Sequence, residues 1–217
     1  LKGTIKETTK IIHLLACLFF CMWCLHSEAQ VPVEITAGHS SYYYQHMFSG
    51  KIIAEKPFGF FNTSSILLPY DKKRGIEVMS QSYLIYEINK RWATGLGSIY
   101  APGNRFVPSA FVWYFNKKND LSYLIFTRMD VWSNPSLELF GSVEYQGSKN
   151  QDFNLYARLQ LQYITSMHWN GHLKSVQYAR LGVDNKGVQY GLGVNFDQYG
   201  SNTEHYSNFG LFVRRVF

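Results

Sequence analysis

The stretch DFNLYARLQLQYI, Asp152 to Ile164, constrains this chain more than any other. In an extended chain, successive side chains point to opposite faces. Phe153, Leu155, Ala157, Leu159, Leu161 and Tyr163 then share one face, and Asn154, Tyr156, Arg158, Gln160 and Gln162 share the other. A soluble sheet would bury the leucines. A membrane-spanning barrel would turn them to lipid and enclose the polar face. Alternation alone does not choose between the two.

Three features favour enclosure of the polar face. Phe153 and Tyr163 bracket the apolar face ten residues apart. At ~3.3 Å per residue and a tilt of ~40°, that distance spans ~25 Å, the height of a barrel's apolar band. In GVQYGLGVNFD the polar face carries Gln189, Gly191, Gly193, Asn195 and Asp197, small residues suited to a crowded interior. Both charge signs also occur on the polar faces: Arg128 and Asp130, Glu138 and Glu144, Arg158, Arg180, Asp184 and Asp197. A basic group facing lipid near the midplane costs roughly 2–4 kcal/mol, whereas acids and bases facing inward pair across the lumen. These eight residues are the expected polar lumen network. AFVWYF and SYLIF are apolar on both faces, so the interior is not expected to be uniformly polar.

From Tyr42 onward, eleven extended segments of roughly 10–14 residues alternate with turn signals such as DKKRG, APGNR, NKKN and GSKNQ. No segment keeps helical spacing. Bacterial single-chain barrels have an even strand number and both termini on the periplasmic side. Counting back from the last strand therefore requires one more strand, and VEITA, Val33 to Ala37, supplies it. The expectation is a single all-β, antiparallel up-and-down barrel of twelve strands over residues 30–217, with ten strands as the alternative. Pro108 predicts a bulge or a strand beginning just after it.

The first 29 residues differ in kind. LKGTIKETTK is basic, Ile11 to Leu25 is an apolar run short of the ~20 residues a spanning helix needs, and Ser27 and Ala29 follow at small-x-small spacing. This is the pattern of a secretory signal peptide, residues 1–29, cleaved after Ala29. LLAC at Cys17 is preceded by too short an apolar segment to act as a lipoprotein box. Cys17, Cys21 and Cys24 all lie in the apolar run, so a cleaved chain holds no disulfide, thiolate metal site or cysteine nucleophile. Cleavage removes three Lys and two acids and takes the net charge from +6 to +5. That charge is scattered over turns and gives no argument for nucleic acid. Aromatics at 17% are the informative part of the composition, because Tyr and Trp belong where an apolar and a wet surface meet.

Chemistry-bearing motifs are sparse. His168, Trp169 and His172 in MHWNGH sit on the longest expected outer loop, where they could contact a ligand or lipid headgroup. His39, Ser40 and Ser41 in GHSS are adjacent in sequence, which is not catalytic geometry. No nucleophile elbow, phosphate loop or metal motif is present. No catalytic residue, metal or cofactor is therefore expected, and the balance lies against an enzyme.

The closing segment NFGLFVRRVF ends in Phe217 and resembles the last strand of bacterial outer-membrane β-barrels, whose terminal aromatic is read by the barrel assembly machinery. Arg215 departs from that pattern, although a long basic side chain can snorkel at an interface. FGFF, MSQSY, TRMDVW with LELFGSVEY, YGLGVNFD and FGLFVRR resemble segments of the small uncharacterised outer-membrane barrels of Bacteroidetes-type bacteria. The resemblance implies a Gram-negative outer-membrane location, contact with outer-membrane lipid and assembly through the barrel machinery, and no particular activity. The expected function is a barrel with a largely side-chain-filled polar lumen, acting as a structural or partner subunit or a narrow passive channel. The alternatives are a barrel enzyme acting on outer-membrane lipids and a soluble secreted β-barrel that binds an apolar ligand.

Overall fold

The computed structural model describes residues 31–71, 73–101, 104–131, 134–147, 152–168, 171–200 and 204–217. The expected signal peptide at residues 1–29 and Trp169 lie outside the described residues.

Twelve strands follow one another along the chain: β1 (Pro32–Gly38), β2 (Ser41–Lys51), β3 (Phe58–Pro69), β4 (Glu77–Glu87), β5 (Trp92–Ala101), β6 (Asn104–Lys118), β7 (Leu121–Asp130), β8 (Ser136–Gln146), β9 (Asn154–Ser166), β10 (His172–Asn185), β11 (Val188–Tyr199) and β12 (Glu204–Val216). Each pairs antiparallel with its sequence neighbours, and β1 pairs with β12 to close the barrel. Closure satisfies every strand edge, which an open sheet cannot do. The strand inferred from parity alone, VEITA, is β1 (Pro32–Gly38), and the strand number is twelve. The β1–β12 ladder runs from Pro32 opposite Val216 to Gly38 opposite Gly210. Val31 and Phe217 exchange backbone hydrogen bonds beyond it at 3.0 and 3.1 Å. Both ends of the barrel domain therefore lie at one rim. Phe217 is exposed there, with the Arg215 guanidinium 5.1 Å from its ring centroid.

Turn chemistry matches the connections. Lys186 and Gly187, between β10 and β11, both have positive φ (52° and 84°), the conformation of a tight two-residue hairpin turn. Asp184 Oδ1 accepts from the Gly187 amide at 3.1 Å and caps that turn.

An irregularity in the ladder lies beside Pro108, as expected of a bulge there, but the strand does not begin after it. β6 begins at Asn104 and runs through Pro108, which pairs with Ser98, and the register shift lies beside it, between Ile99 and Ala101 of β5. The Pro108 carbonyl accepts from Val131 N–H at 2.9 Å, one residue past the end of β7. A residue's N–H and C=O point to the same side of its strand, so the missing amide hydrogen falls off the end of the β6–β7 ladder, where it costs no ladder bond.

The faces are resolved by exposure. Leu159 and Leu161 are 47% and 49% exposed, whereas Arg158 and Gln160 are 6% and 5%. The same phase holds in β11, with Tyr190, Leu192 and Phe196 outside and Gln189, Asn195 and Asp197 buried. The outer wall carries an aliphatic belt that includes Ile35, Leu84, Leu96, Ile125, Leu139, Leu181, Leu192 and Leu211. Exposed aromatics flank it at both rims: Phe58, Tyr86, Trp92, Tyr145, Phe153 and Tyr190 toward the terminal rim, and Tyr42, Tyr70, Tyr100, Phe106 and Tyr163 toward the other. An apolar belt between two aromatic girdles is the surface that a bilayer core and its two interfaces solvate.

Candidate functional site

The lumen is the site, and its contents divide by side of the barrel. On the β3–β7 side, Phe61, Tyr83, Ile85, Phe111 and Phe126 form a buried cluster with Met47, Trp113 and Phe140 packed against it. Phe111 and Phe126 stack at 5.2 Å, and Tyr83 meets Phe111 edge-on at 4.7 Å. Phe111, Trp113 and Phe126 come from the segments that are apolar on both faces, and Phe61 and Tyr83 join them from β3 and β4, so this side of the lumen is filled largely by rings.

The other half is ionic. Glu34 of β1 accepts from Arg158 Nη2 of β9 and, at 2.9 Å, from Arg180 Nε of β10. Arg158 is four strands from Glu34 around the wall and Arg180 is three, so both bonds are chords across the interior. Arg180 also donates to Asn195 Oδ1 at 2.7 Å and Thr36 Oγ1 at 3.1 Å. Gly193 sits opposite Arg180 in the ladder, and a Cβ there would lie 3.4 Å from Arg180 Cδ and Nε. Gly191 permits tight wall curvature, because a Cβ would fall 2.3 Å from the Leu181 carbonyl oxygen.

A second ionic centre joins the halves. Arg128 Nε binds Glu138 at 2.8 Å and Nη1 binds Asp130. Glu138 accepts in turn from Gln81 at 3.1 Å and Gln162 at 2.6 Å. Toward the terminal rim, Arg214 pairs with Glu144 at 3.2 Å and donates to Gln189, while Asp184 accepts from Gln146 and Gln189, each at 2.8 Å. All eight residues of the expected network thus face inward. Two do not act as mid-strand ion pairs: Asp184 caps a turn, and Asp197 accepts from the Tyr178 hydroxyl at 2.9 Å near the opposite rim. Glu34 and Arg214 are further members. The alternation of VEITA and FVRRV put both on the inward phase, and it was the available signal for them.

Above this filling, toward the rim opposite the termini, a vestibule of about 680 Å³ opens. Tyr43, Gln45, Thr63, Gln160, Gln162 and Tyr178 line its walls, and Phe61, Phe126 and Arg128 lie at its depth. Its mouth is bridged. Lys174 of β10 donates to Glu77 of β4, directly across the barrel, at 2.9 Å, and Tyr199 OH donates to Glu77 at 2.7 Å. Arg74, in the β3–β4 loop, pairs with Glu77 at 3.1 Å and Asp197 at 3.6 Å, and stacks 3.9 Å above the Tyr206 ring. Partial burial pulls the Arg74 pKa down, but Tyr199 and Glu77 outweigh it, so the guanidinium is held above its usual value.

Of the two loop histidines, only His172 departs from the expected loop position. His168 lies on the exposed β9–β10 turn. His172 opens β10 and is held structurally: Nδ1 bonds with the Gly200 carbonyl at 2.9 Å, Nε2 pairs with Ser175 Oγ at 2.6 Å, and the ring lies 5.4 Å from Tyr163. His39 bonds to the Phe209 backbone, and Ser40 Oγ donates to Ser207 O and Asn208, so GHSS is a strand-joining turn. Among the described residues no group of three His, Cys, Asp or Glu gathers as a metal site.

No family model and no curated protein matches this chain. Solved structures with a similar course include a KdgM porin (13% identity, TM-score 0.48, 87% of this chain and 99% of that one). A NanC porin (11%, 0.49, 87% and 99%) and LpxR from Salmonella typhimurium (7%, 0.44, 87% and 100%) are similar to the same extent. Likenesses at these identities and TM-scores say nothing of activity.

Proposed function

We propose that the chain is an outer-membrane barrel of a Gram-negative bacterium, exported by a signal peptide at residues 1–29 and occluded by its own side chains. It serves as a structural or partner subunit, and solutes pass only by a narrow route when the ionic filling yields. Lipid surrounds the aliphatic belt, and Phe217 at the terminal rim is available to the assembly machinery. The observation that carries this reading is Glu34 holding Arg158 and Arg180 across the lumen, beside a ring cluster that fills the other half. A twelve-strand barrel is wider than one that side chains must fill, so this filling is a property of the chosen residues.

Recording from the purified protein in a planar bilayer tests it. The native chain is expected to show no steady open level, and the Glu34→Ala/Arg158→Ala pair should show discrete conductance steps. A large, steady native conductance would overturn the occlusion.

A second reading rests on one contact. Ser175 Oγ and His172 Nε2 at 2.6 Å, with Nδ1 fixed by Gly200 O, form a nucleophile–base pair on the outer wall near the loop rim, where lipid esters would lie. Release of fatty acid from envelope lipids that stops in Ser175→Ala would favour this reading. Equal release from both proteins would remove it.

A further inference from the structure

The outer wall is not apolar all round. On β2–β5 its outward phase carries His46, Asn62, Ser64, Ser80, Ser82 and Ser98, because Phe61, Gln81 and Tyr83 on the alternate phase are buried inside. Register makes these residues one patch: His46 lies opposite Ser64, Ser64 opposite Ser80, Asn62 opposite Ser82, and Ser82 opposite Ser98. Tyr44 OH meets His46 Nδ1 at 3.0 Å, and His46 Nε2 meets Asn62 Oδ1 at 2.7 Å. The Asn62 amide donates to Ser82 Oγ at 2.9 Å, and Ser64 and Ser80 share a hydrogen bond of 2.8 Å.

The patch is deep. Outward residues of β3 run Phe58, Phe60, Asn62, Ser64, Ile66, Leu68, so the polar pair is central and Phe58 marks the rim. Ser64 lies six residues from Phe58, ~20 Å along the strand and ~15 Å in depth at a tilt of ~40°, near the middle of the belt. β9, six strands away on the opposite wall, presents Leu155, Leu159 and Leu161 instead.

We infer that the β2–β5 wall is an intramembrane interface and that its occupant is a second copy of this chain, related by a two-fold axis that runs along the membrane normal beside β3. The inference rests on the membrane-spanning reading above. Two properties select a self-contact. Hydroxyl, imidazole and amide groups offer both donors and acceptors, and no Asp, Glu, Lys or Arg lies on the outward phase of β2–β5, so the same surface can bond to itself without repulsion. The relief is also self-complementary. β2 presents Tyr44, His46 and Phe48 as a ridge, and β4–β5 present Ser80, Ser82 and Ser98 as a shallow trough. A two-fold axis beside β3 sets the ridge of each copy opposite the trough of the other, as an isologous contact requires. Small hydroxylated residues allow close backbone approach in lipid, and their remaining hydrogen-bonding capacity then meets protein rather than hydrocarbon.

The axis places Ser64 beside its own copy, which gives the test. The full-length Ser64→Cys variant, reconstituted in vesicles and treated with a short bis-maleimide, is expected to give a Ser64-site to Ser64-site linked peptide by mass. Its yield should be at least tenfold above that of the Leu159→Cys variant on the opposite wall. The Ser64→Leu/Ser80→Leu variant should migrate as one copy in mild detergent where the native chain migrates as two. Heat-modifiable migration of every variant reports that the barrel is folded. Folded Ser64→Cys protein without that linked peptide, equal linking at both walls, or linking only to a different protein would overturn the self-contact. Extraction of the native chain without detergent would overturn the membrane reading on which it stands.

Discussion

Removing the Glu34 carboxylate with Glu34→Gln tests how the lumen is held. The side chain is 2% exposed and accepts from both Arg158 and Arg180. The substitution keeps the shape, deletes the charge and turns an amide donor toward two guanidinium donors. Arg180 keeps Asn195 and Thr36, but neither carries charge. Removing one partner of a buried ion pair costs ~3–5 kcal/mol, because it leaves an uncompensated charge. That is a loss of ~150- to ~5,000-fold in the folding equilibrium. The short β1, seven residues long, is also tied through Glu34 to β9 and β10, so the loss falls on barrel closure. The assay is reversible denaturant unfolding in lipid vesicles, followed by tryptophan emission, for Glu34→Gln, Arg158→Met and the double variant. Because Arg158→Met removes the stranded charge, the double variant should lose less than the sum of the two, with a coupling of ~1–3 kcal/mol. A loss below ~1 kcal/mol for Glu34→Gln, the level of an exposed pair, together with additive behaviour, would refute the reasoning.

Three further outcomes follow from the same geometry. Leu159→Arg, on the exposed face of β9, should destabilise the protein in bilayers by roughly 2–4 kcal/mol, read from the same unfolding assay. Gly193→Val should push Arg180 out of its place and cost about 1–3 kcal/mol, since the added side chain begins 3.4 Å from Arg180. Glu77→Gln breaks a partly exposed cluster, so stability should change by less than ~1 kcal/mol. Labelling of a Gln160→Cys site in the vestibule by a water-soluble thiol reagent should nevertheless speed up several-fold, because the Lys174 and Tyr199 bridge over the mouth is lost.

The segments that announced the fold were those with one apolar and one polar face. In β9 and β11 the two phases differ so sharply that orientation, inward charges and the glycines beside Arg180 were all legible. In β3 each phase mixes both kinds: Phe61 and Leu67 point inward while Asn62 and Ser64 point outward. Alternation there has no sign, which is why the outer polar patch was invisible in the sequence. The AFVWYF and SYLIF stretches of β6 and β7 are apolar on both phases, so the sequence implied a mixed lumen without showing that their rings gather with Phe61 and Tyr83. Pairing across the lumen was out of reach for another reason. Alternation assigns a residue to a face, but Glu34 meets Arg158 through a chord four strands wide that only barrel closure defines. In the sequence WNG has the look of a turn and puts His172 in a loop, yet a register shift between His172 and Lys174 lets β10 start at the histidine.

The inversion of polarity across the wall is tested most directly by spin labels placed one at a time at positions 155 to 161 of β9 in vesicles. Labels at Leu155, Leu159 and Leu161 should relax strongly with oxygen dissolved in lipid and weakly with a water-soluble nickel complex, while labels at Tyr156, Arg158 and Gln160 should be shielded from the lipid-borne oxygen. Nickel reaching Leu159 and Leu161 as readily as a surface loop, or no two-residue period at all, would contradict the account.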